Sequence, residues 1–226
     1  VETKPDMTTQ TMDLSPETLK PTFPATPKGG PKPLSGPASS SRFEVIRAFL
    51  ELRSRPGPTP PPTEELDEPR ERSFYTQLLQ GMVRYDLLLE AELIKRVRKH
   101  QKLQRSLRAI IKLGLFELLF MDSVPPRASI HQAGWLAEKF RVAASKPLVN
   151  GVLRRFQREL DQGYDPRQFH PFELAESIPG WMFRRWSGIY GEKEARSICK
   201  ASNQYLGLYV CIASPELSEA VREECI

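Results

Sequence analysis

The chain has 226 residues, of which 39% are hydrophobic, and carries 33 basic and 28 acidic side chains for a formal net charge of +5. No apolar run approaches the roughly 20 residues that a membrane-spanning helix needs, and no hydrophobic leader segment opens the chain, which argues against an integral membrane protein and a secreted protein. The three cysteines form no CxxC pair, and we expect reduced thiols in the cytoplasm.

The segment 1–41 predicts a disordered tail. It contains eight of the 21 prolines and a single aromatic residue, Phe23, and such a composition cannot offset the entropy lost on folding. Ser41 is expected to cap the first helix, whose apolar stripe runs from Val45 to Leu52. Residues 54–70 then form a proline-rich, acidic surface loop. A plain spacer is the favoured interpretation of this loop, with a polyproline ligand as the alternative.

Beyond the loop, the spacing of apolar residues is helical, and no segment alternates as a β-strand would. We predict a long helix over 72–99, a central apolar helix over 103–119 ended by Val124-Pro125-Pro126, and amphipathic helices over 129–140 and 145–160. Shorter helices follow Pro171. Asn150-Gly151 lies inside the last amphipathic stretch, where we expect the glycine to allow close packing. The fold class is therefore all-α.

Positive charge is concentrated in one part of the chain. The stretch 73–170 contains 17 basic and nine acidic side chains, which favours a polyanionic partner over an ordinary solvated surface. We name the stretch from Lys95 to Arg108 the basic segment, because it contains seven cations and no acid. The candidate RNA-binding residues are Lys95, Arg96, Arg98, Lys99, Lys102, Arg105 and Arg108, extended by Arg154 and Arg155.

Cations late in a helix also stabilise its negative end, but this effect accounts for two or three of the seven. No aromatic residue is interleaved with them, as single-stranded RNA binders usually require. Trp181, Trp186 and Tyr190 are the remaining stacking candidates, and we expect them to be core or packing residues instead.

The sequence contains no recognisable catalytic site. There is no GxGxxG or phosphate loop and no GxSxG elbow, and the histidines are remote in sequence from the cysteines. We therefore predict no catalytic residue, no metal site and no cofactor site in this chain.

Three motifs resemble the NusB fold, an all-helical RNA-binding domain. They are Leu113-Gly114-Leu115-Phe116-Glu117-Leu118-Leu119-Phe120, the run from Leu148 to Arg155, and the earlier Leu78-Leu79-Gln80-Gly81-Met82-Val83-Arg84. The resemblance covers about residues 42–160. Residues 161–226 resemble the helical linker and the first part of the next subdomain in bacterial ribosomal RNA methyltransferases of the RsmB (Sun, Fmu) family.

This resemblance implies the RNA-binding N-terminal part of a methyltransferase that acts on carbon five of a cytosine in small-subunit ribosomal RNA. The S-adenosylmethionine domain and the catalytic cysteines of that family have no counterpart in these residues, so enzyme activity in this chain is left open. An antitermination-type adaptor that binds RNA and a ribosomal protein is the alternative. A truncated chain without activity is the third hypothesis.

Overall fold

In the computed structural model, residues 38–55, 57–58, 60, 66 and 68–204 are described. This part of the chain is helical and contains no β-strand, which confirms the all-α prediction. Most of the predicted disordered tail and the segment 205–226 lie outside the described ranges. The helices are α1 (Ala38–Ser54), α2 (Pro69–Arg84), α3 (Asp86–Arg96), α4 (Arg105–Phe120), α5 (Pro126–Lys139), α6 (Lys146–Asp161), α7 (Pro166–Phe169), α8 (Phe172–Ala175), α9 (Gly180–Tyr190) and α10 (Glu192–Asn203).

The first helix begins earlier than the sequence predicts. Ser41 lies inside α1 with its side chain buried, so its predicted role as an N-cap is wrong. The next residue, Arg42, forms a buried ion pair with Glu117 of α4, at 2.6 Å between Nε and Oε1. Ser129 of α5 donates to the other oxygen of the same carboxylate. This pair therefore links α1, α4 and α5 inside the bundle.

Helix α4 is the centre of the bundle, as its apolar sequence predicts. It packs against α1, α2, α3, α5 and α6, and Ile110, Ile111, Leu115 and Phe116 have no exposed surface. A helix that is apolar on most sides is stable only when most sides are buried, and the five surrounding helices bury α4 in this way.

The predicted long helix over 72–99 is two helices. The backbone departs from helical geometry at Tyr85, with φ −98° and ψ 18°, and the Tyr85 ring is buried against Phe120 with 4.3 Å between ring centroids. The apolar period continues across this residue, so the pattern alone contains no sign of the break.

Two glycines let helices approach closely. A Cβ at Gly81 of α2 would lie 2.0 Å from the ring of Phe116, and one at Gly114 of α4 would lie 2.5 Å from Leu153 of α6. Gly151 has no atom within 4 Å of its would-be Cβ. The expectation that Gly151 allows close packing is therefore wrong, although the helix predicted there is confirmed.

The last described helices form a second layer attached to α2 and α3. A single residue, Gly191 at φ 81°, joins α9 to α10, and the two helices pack against each other. The hydroxyl of Ser177 accepts a hydrogen bond from the Leu87 amide at 3.1 Å. The Asn203 side chain donates to the Glu176 carbonyl at 2.6 Å. The Ser177 bond holds the second layer against α3, the Asn203 side-chain bond joins the end of α10 to the residue after α8, and Arg84 of α2 donates to the Asn203 carbonyl at 3.4 Å.

The loop before α2 is also anchored to the bundle. Leu66 is fully buried, and its carbonyl accepts a hydrogen bond from Arg72 at 2.6 Å. The Tyr75 hydroxyl donates to the carbonyl of Pro60 at 3.2 Å. The described parts of this loop therefore follow the surface of α2 instead of extending away from it.

Gly81→Ala should destabilise the bundle by about 1 to 3 kcal/mol, because the added methyl must displace a fully enclosed ring. Gly151→Ala is the matched control. Alanine is a better helix former than glycine and meets no neighbour there, so this variant should be neutral or more stable by up to about 1 kcal/mol. Urea unfolding of both variants measures the difference. Equal stabilities would contradict the close approach at Gly81.

Burial raises the pKa of Tyr85 from 10.0 to about 12, with a further increase from the Glu176 carboxylate. In the unfolded chain the phenol ionises near its ordinary pKa, so the folded state holds its proton to higher pH. The free energy of unfolding should therefore fall by roughly 2 to 3 kcal/mol between pH 10 and 12. Tyr85→Phe should lose this part of the pH dependence, as measured by urea unfolding at a series of alkaline pH values. An unchanged slope in the variant would show that the phenol does not cause it.

Candidate nucleic-acid interface

The basic segment spans a helix end, a turn and a helix start. Lys95 and Arg96 lie in the last turn of α3, and Arg105 opens α4. Between them, Lys102 belongs to a 3₁₀ turn over His100–Lys102. Cations at the end of α3 stabilise that helix, whereas Arg105 at the positive end of α4 does not. Helix stabilisation therefore does not explain the cation at the start of α4.

Five cations of the basic segment are exposed: Lys95, Arg98, Lys99, Lys102 and Arg105. Within the described ranges, Arg98, Lys99, Lys102 and Arg105 form no ion pair with a carboxylate. Their positive charge is thus unneutralised by this part of the protein and open to solvent.

Arg96 is not part of this exposed surface, which corrects the sequence-based prediction. Its side chain has no exposed area and pairs with Glu92 at 2.5 Å and with Glu159. The guanidinium also lies 4.5 Å from the centroid of the Phe156 ring. A buried guanidinium that is held by two carboxylates cannot contact a phosphate, so Arg96 has a structural role.

Arg108 is also engaged inside the protein. It pairs with Glu90, and its side chain is 29% exposed. Lys112 of α4 is buried and contacts the same carboxylate at 2.6 Å, as well as Asp86 at 2.6 Å. Burial raises the pKa of Glu90, but the hydrogen bonds and charges of Lys112 and Arg108 outweigh burial and lower it. Arg108 therefore belongs chiefly to this ion-pair cluster.

The structure places Arg155 of α6 next to the end of α3. Arg154 and Arg155 are exposed on α6, and Arg155 Nε lies 2.9 Å from Glu159. Glu159 also pairs with Arg96, so one carboxylate joins the two helices. Burial raises the pKa of Glu159, and the bonds from Arg155 and Arg96 lower it overall. Arg96 of the basic segment and Arg155 of α6 are neighbours through this carboxylate, and contact of Arg154 and Arg155 with RNA stays a prediction.

A buried carboxylate, Glu92, organises the same end of the molecule. Its side chain has no exposed area, and its Oε1 accepts from the Tyr164 hydroxyl at 2.8 Å. Nε2 of His170 lies 2.6 Å from the same oxygen. Tyr164 and His170 follow α6, so Glu92 attaches the chain after the bundle to α3. Sequence reasoning missed this cluster, for which the only signal was the i, i+4 spacing of Glu92 and Arg96.

An exposed aromatic ring lies beside the first cation of the basic segment. Lys95 Nζ lies 4.2 Å from the Tyr164 ring centroid and 5.6 Å from that of Phe169. The two rings are 4.8 Å apart, and Phe169 is 67% exposed. The sequence contains no aromatic residue interleaved with the cations, but the fold places one next to them.

The aromatic residues of α9 are not core residues. Trp181 and Tyr190 are 59% and 56% exposed, so the expectation that they pack in the interior is wrong, while Trp186 is half-buried. Helix α9 is held through Phe183, whose ring lies 5.5 Å from that of Phe172.

The sequence predicts no catalytic, metal or cofactor site among the described residues, and this stays a prediction. No group of three His, Cys, Asp or Glu side chains there could hold a metal ion, and no helix in these ranges is long and apolar enough to cross a bilayer. Cys199 is fully buried, and burial raises the pKa of its thiol, so it is a poor nucleophile. Gly81 and Gly114 both pack closely against side chains of neighbouring helices.

Comparison with known proteins gives one family and a consistent group of relatives. The model described as "NusB family" matches residues 44–158. "Probable ribosomal RNA small subunit methyltransferase B" of Synechocystis is 34% identical over 140 residues, which are 60% of this chain and 31% of that protein. The Bacillus subtilis protein of the same name is 30% identical over 131 residues, 57% of this chain and 29% of its own length. "Ribosomal RNA small subunit methyltransferase B" of Escherichia coli is 28% identical over 145 residues, which are 64% of this chain and 33% of that protein. The match spans about a third of each relative.

Glu92→Gln should destabilise the protein by about 3 to 5 kcal/mol, because it leaves the buried Arg96 with one carboxylate fewer. Glu138→Gln is the matched control, since Glu138 pairs with Lys146 on the surface with both side chains about half exposed. It should cause no measurable change. Urea unfolding at neutral pH tests both variants, and a Glu92 variant as stable as the control would refute the structural role of Glu92.

Proposed function

This chain belongs to the NusB family. We propose that its helical domain, residues 42–160, binds ribosomal RNA and is the N-terminal part of a methyltransferase that modifies carbon five of a cytosine in small-subunit ribosomal RNA. The observation that carries the proposal is the set of four exposed cations without a carboxylate partner among the described residues, Arg98, Lys99, Lys102 and Arg105. The relatives named ribosomal RNA methyltransferases support the choice of RNA as the polyanion.

The proposed role is to hold and orient the RNA. Each phosphate that a cation neutralises releases condensed counterions, so binding is favourable and salt-dependent but carries little sequence information. Chemistry on a cytosine requires the base to be unstacked and placed in a pocket. We propose that a catalytic domain outside residues 1–226 carries out that step, binds S-adenosylmethionine and supplies the catalytic cysteines. The enzyme would act in the cytoplasm. Helices α8 to α10 would connect the bundle to that domain.

An antitermination-type adaptor that binds RNA and a ribosomal protein is the second candidate, because the family match itself covers only the bundle. An adaptor of this kind has no second domain, so it would not need the ordered helices α8 to α10 after the bundle. The packing of α8 to α10 favours the first candidate, since Ser177 and Asn203 are hydrogen-bonded parts of the fold.

Replacing Lys99, Lys102 and Arg105 with alanine should weaken binding of the full chain to a short single-stranded RNA. The slope of log K against log salt should become shallower by about 2 to 3, because three phosphate contacts are lost. Fluorescence anisotropy over a salt series measures both quantities.

The control removes the same charge elsewhere on the surface. It is a triple alanine variant of exposed cations on α9 and α10, namely Arg184, Arg185 and Lys193. This control should retain most of the affinity and the slope. An unchanged slope in the first variant, or equal losses in both variants, would contradict the proposed surface.

A further inference from the structure

Phe169 is an aromatic residue that the fold exposes beside a cation of the basic segment. Its side chain is 67% exposed, whereas Pro166 of the same short helix is buried. Pro166 is thus the residue of this helix that is packed into the protein, while most of the Phe169 ring is open to a ligand.

We propose that Phe169 and Lys95 form a stacking site for one unpaired RNA base, so that the ligand of the basic segment is single-stranded RNA. This inference rests on the proposed function, and it adds the class of RNA and a contact that specifies it. A base presents its face to a protein only when it is unstacked, and single-stranded RNA binders combine such aromatic rings with a cationic track for the backbone.

Lys95 and Phe169 are close enough to contact the same nucleotide. Lys95 Nζ lies 5.6 Å from the Phe169 ring centroid and donates to the Tyr164 hydroxyl at 3.0 Å. Tyr164 packs against Phe169, at 4.8 Å between centroids. A base on Phe169 therefore has an ammonium group beside its own phosphate or its ring, and the other exposed cations of the basic segment follow Lys95 in the sequence.

The residues on both sides of Phe169 are anchored by hydrogen bonds, and its ring packs against Tyr164. On its C-terminal side, His170 contacts the buried Glu92 at 2.6 Å. On its N-terminal side, Asp165 caps α7 by accepting from the Arg167 amide at 3.0 Å. Because the chain on both sides is anchored, less conformational entropy is lost when a base stacks on the Phe169 ring than on a ring in an unattached loop.

The test compares Phe169→Leu, Phe169→Ala and Phe169→Trp in the full chain, with single-stranded and fully duplex RNA of the same sequence. Leucine keeps apolar bulk but has no π face, so Leu and Ala should both weaken single-strand binding by about 5- to 100-fold, while Trp retains it. The salt slope should stay that of the unchanged chain, because no phosphate contact is removed. Duplex affinity should not change. Ile189→Ala is the control, since this side chain is 61% exposed on α9.

The outcomes separate the inference from the proposed function. Wild-type affinity in the Leu variant, or equal losses on single-stranded and duplex RNA, overturns the stacking site while the cationic surface stands. A weaker affinity in the Trp variant with an unchanged thermal midpoint also overturns it. If neither RNA binds the full chain, or if the triple variant of Lys99, Lys102 and Arg105 binds normally, the proposed function fails and the stacking site fails with it.

Discussion

The carboxylate of Glu92 has no contact with water, and the protein must supply every group that satisfies it. An isolated buried charge costs several kcal/mol, so its partners are held in fixed positions. Arg96 comes from the same helix, while Tyr164 and His170 come from the chain beyond α6. This requirement fixes the end of α3 against the segment that leaves the bundle. The direction in which the basic segment starts, and the position of the ring beside Lys95, both follow from it.

Much of the bundle could be predicted from the sequence because its periodicity is strong. The central helix, the proline stop before α5 and the two following helices lie within a few residues of their predicted bounds. The break at Tyr85 could not be predicted, because it depends on stacking against Phe120, which belongs to a different helix. The same limit applies to Gly81 and Gly151, since a glycine's neighbours across a helix interface are set by the tertiary packing and not by its own helix.

The candidate site shows the limit of counting charges. Seven cations between Lys95 and Arg108 predict a uniform surface, yet two of them, Arg96 and Arg108, turn toward carboxylates. Glu159 lies 63 residues from Arg96, so its effect is invisible in a local window, and the nearness of Phe169 to Lys95 is invisible for the same reason. Composition indicates the class of ligand. Contacts between residues that are distant in the sequence determine which cations stay unpaired and which aromatic ring lies beside them.

The interior of this bundle contains several paired charges rather than hydrocarbon alone. Arg42 with Glu117, Arg96 with Glu92, and Lys112 with its two acids all have at least one nearly buried member. Hydration of ions has a strongly negative entropy, so the cost of removing them from water falls as the temperature rises. The desolvation penalty of these pairs, which opposes folding, is therefore smaller at high temperature than near 0 °C. The buried pairs thus shift the temperature range in which this domain is most stable upward, compared with an equally packed bundle whose interior is entirely apolar.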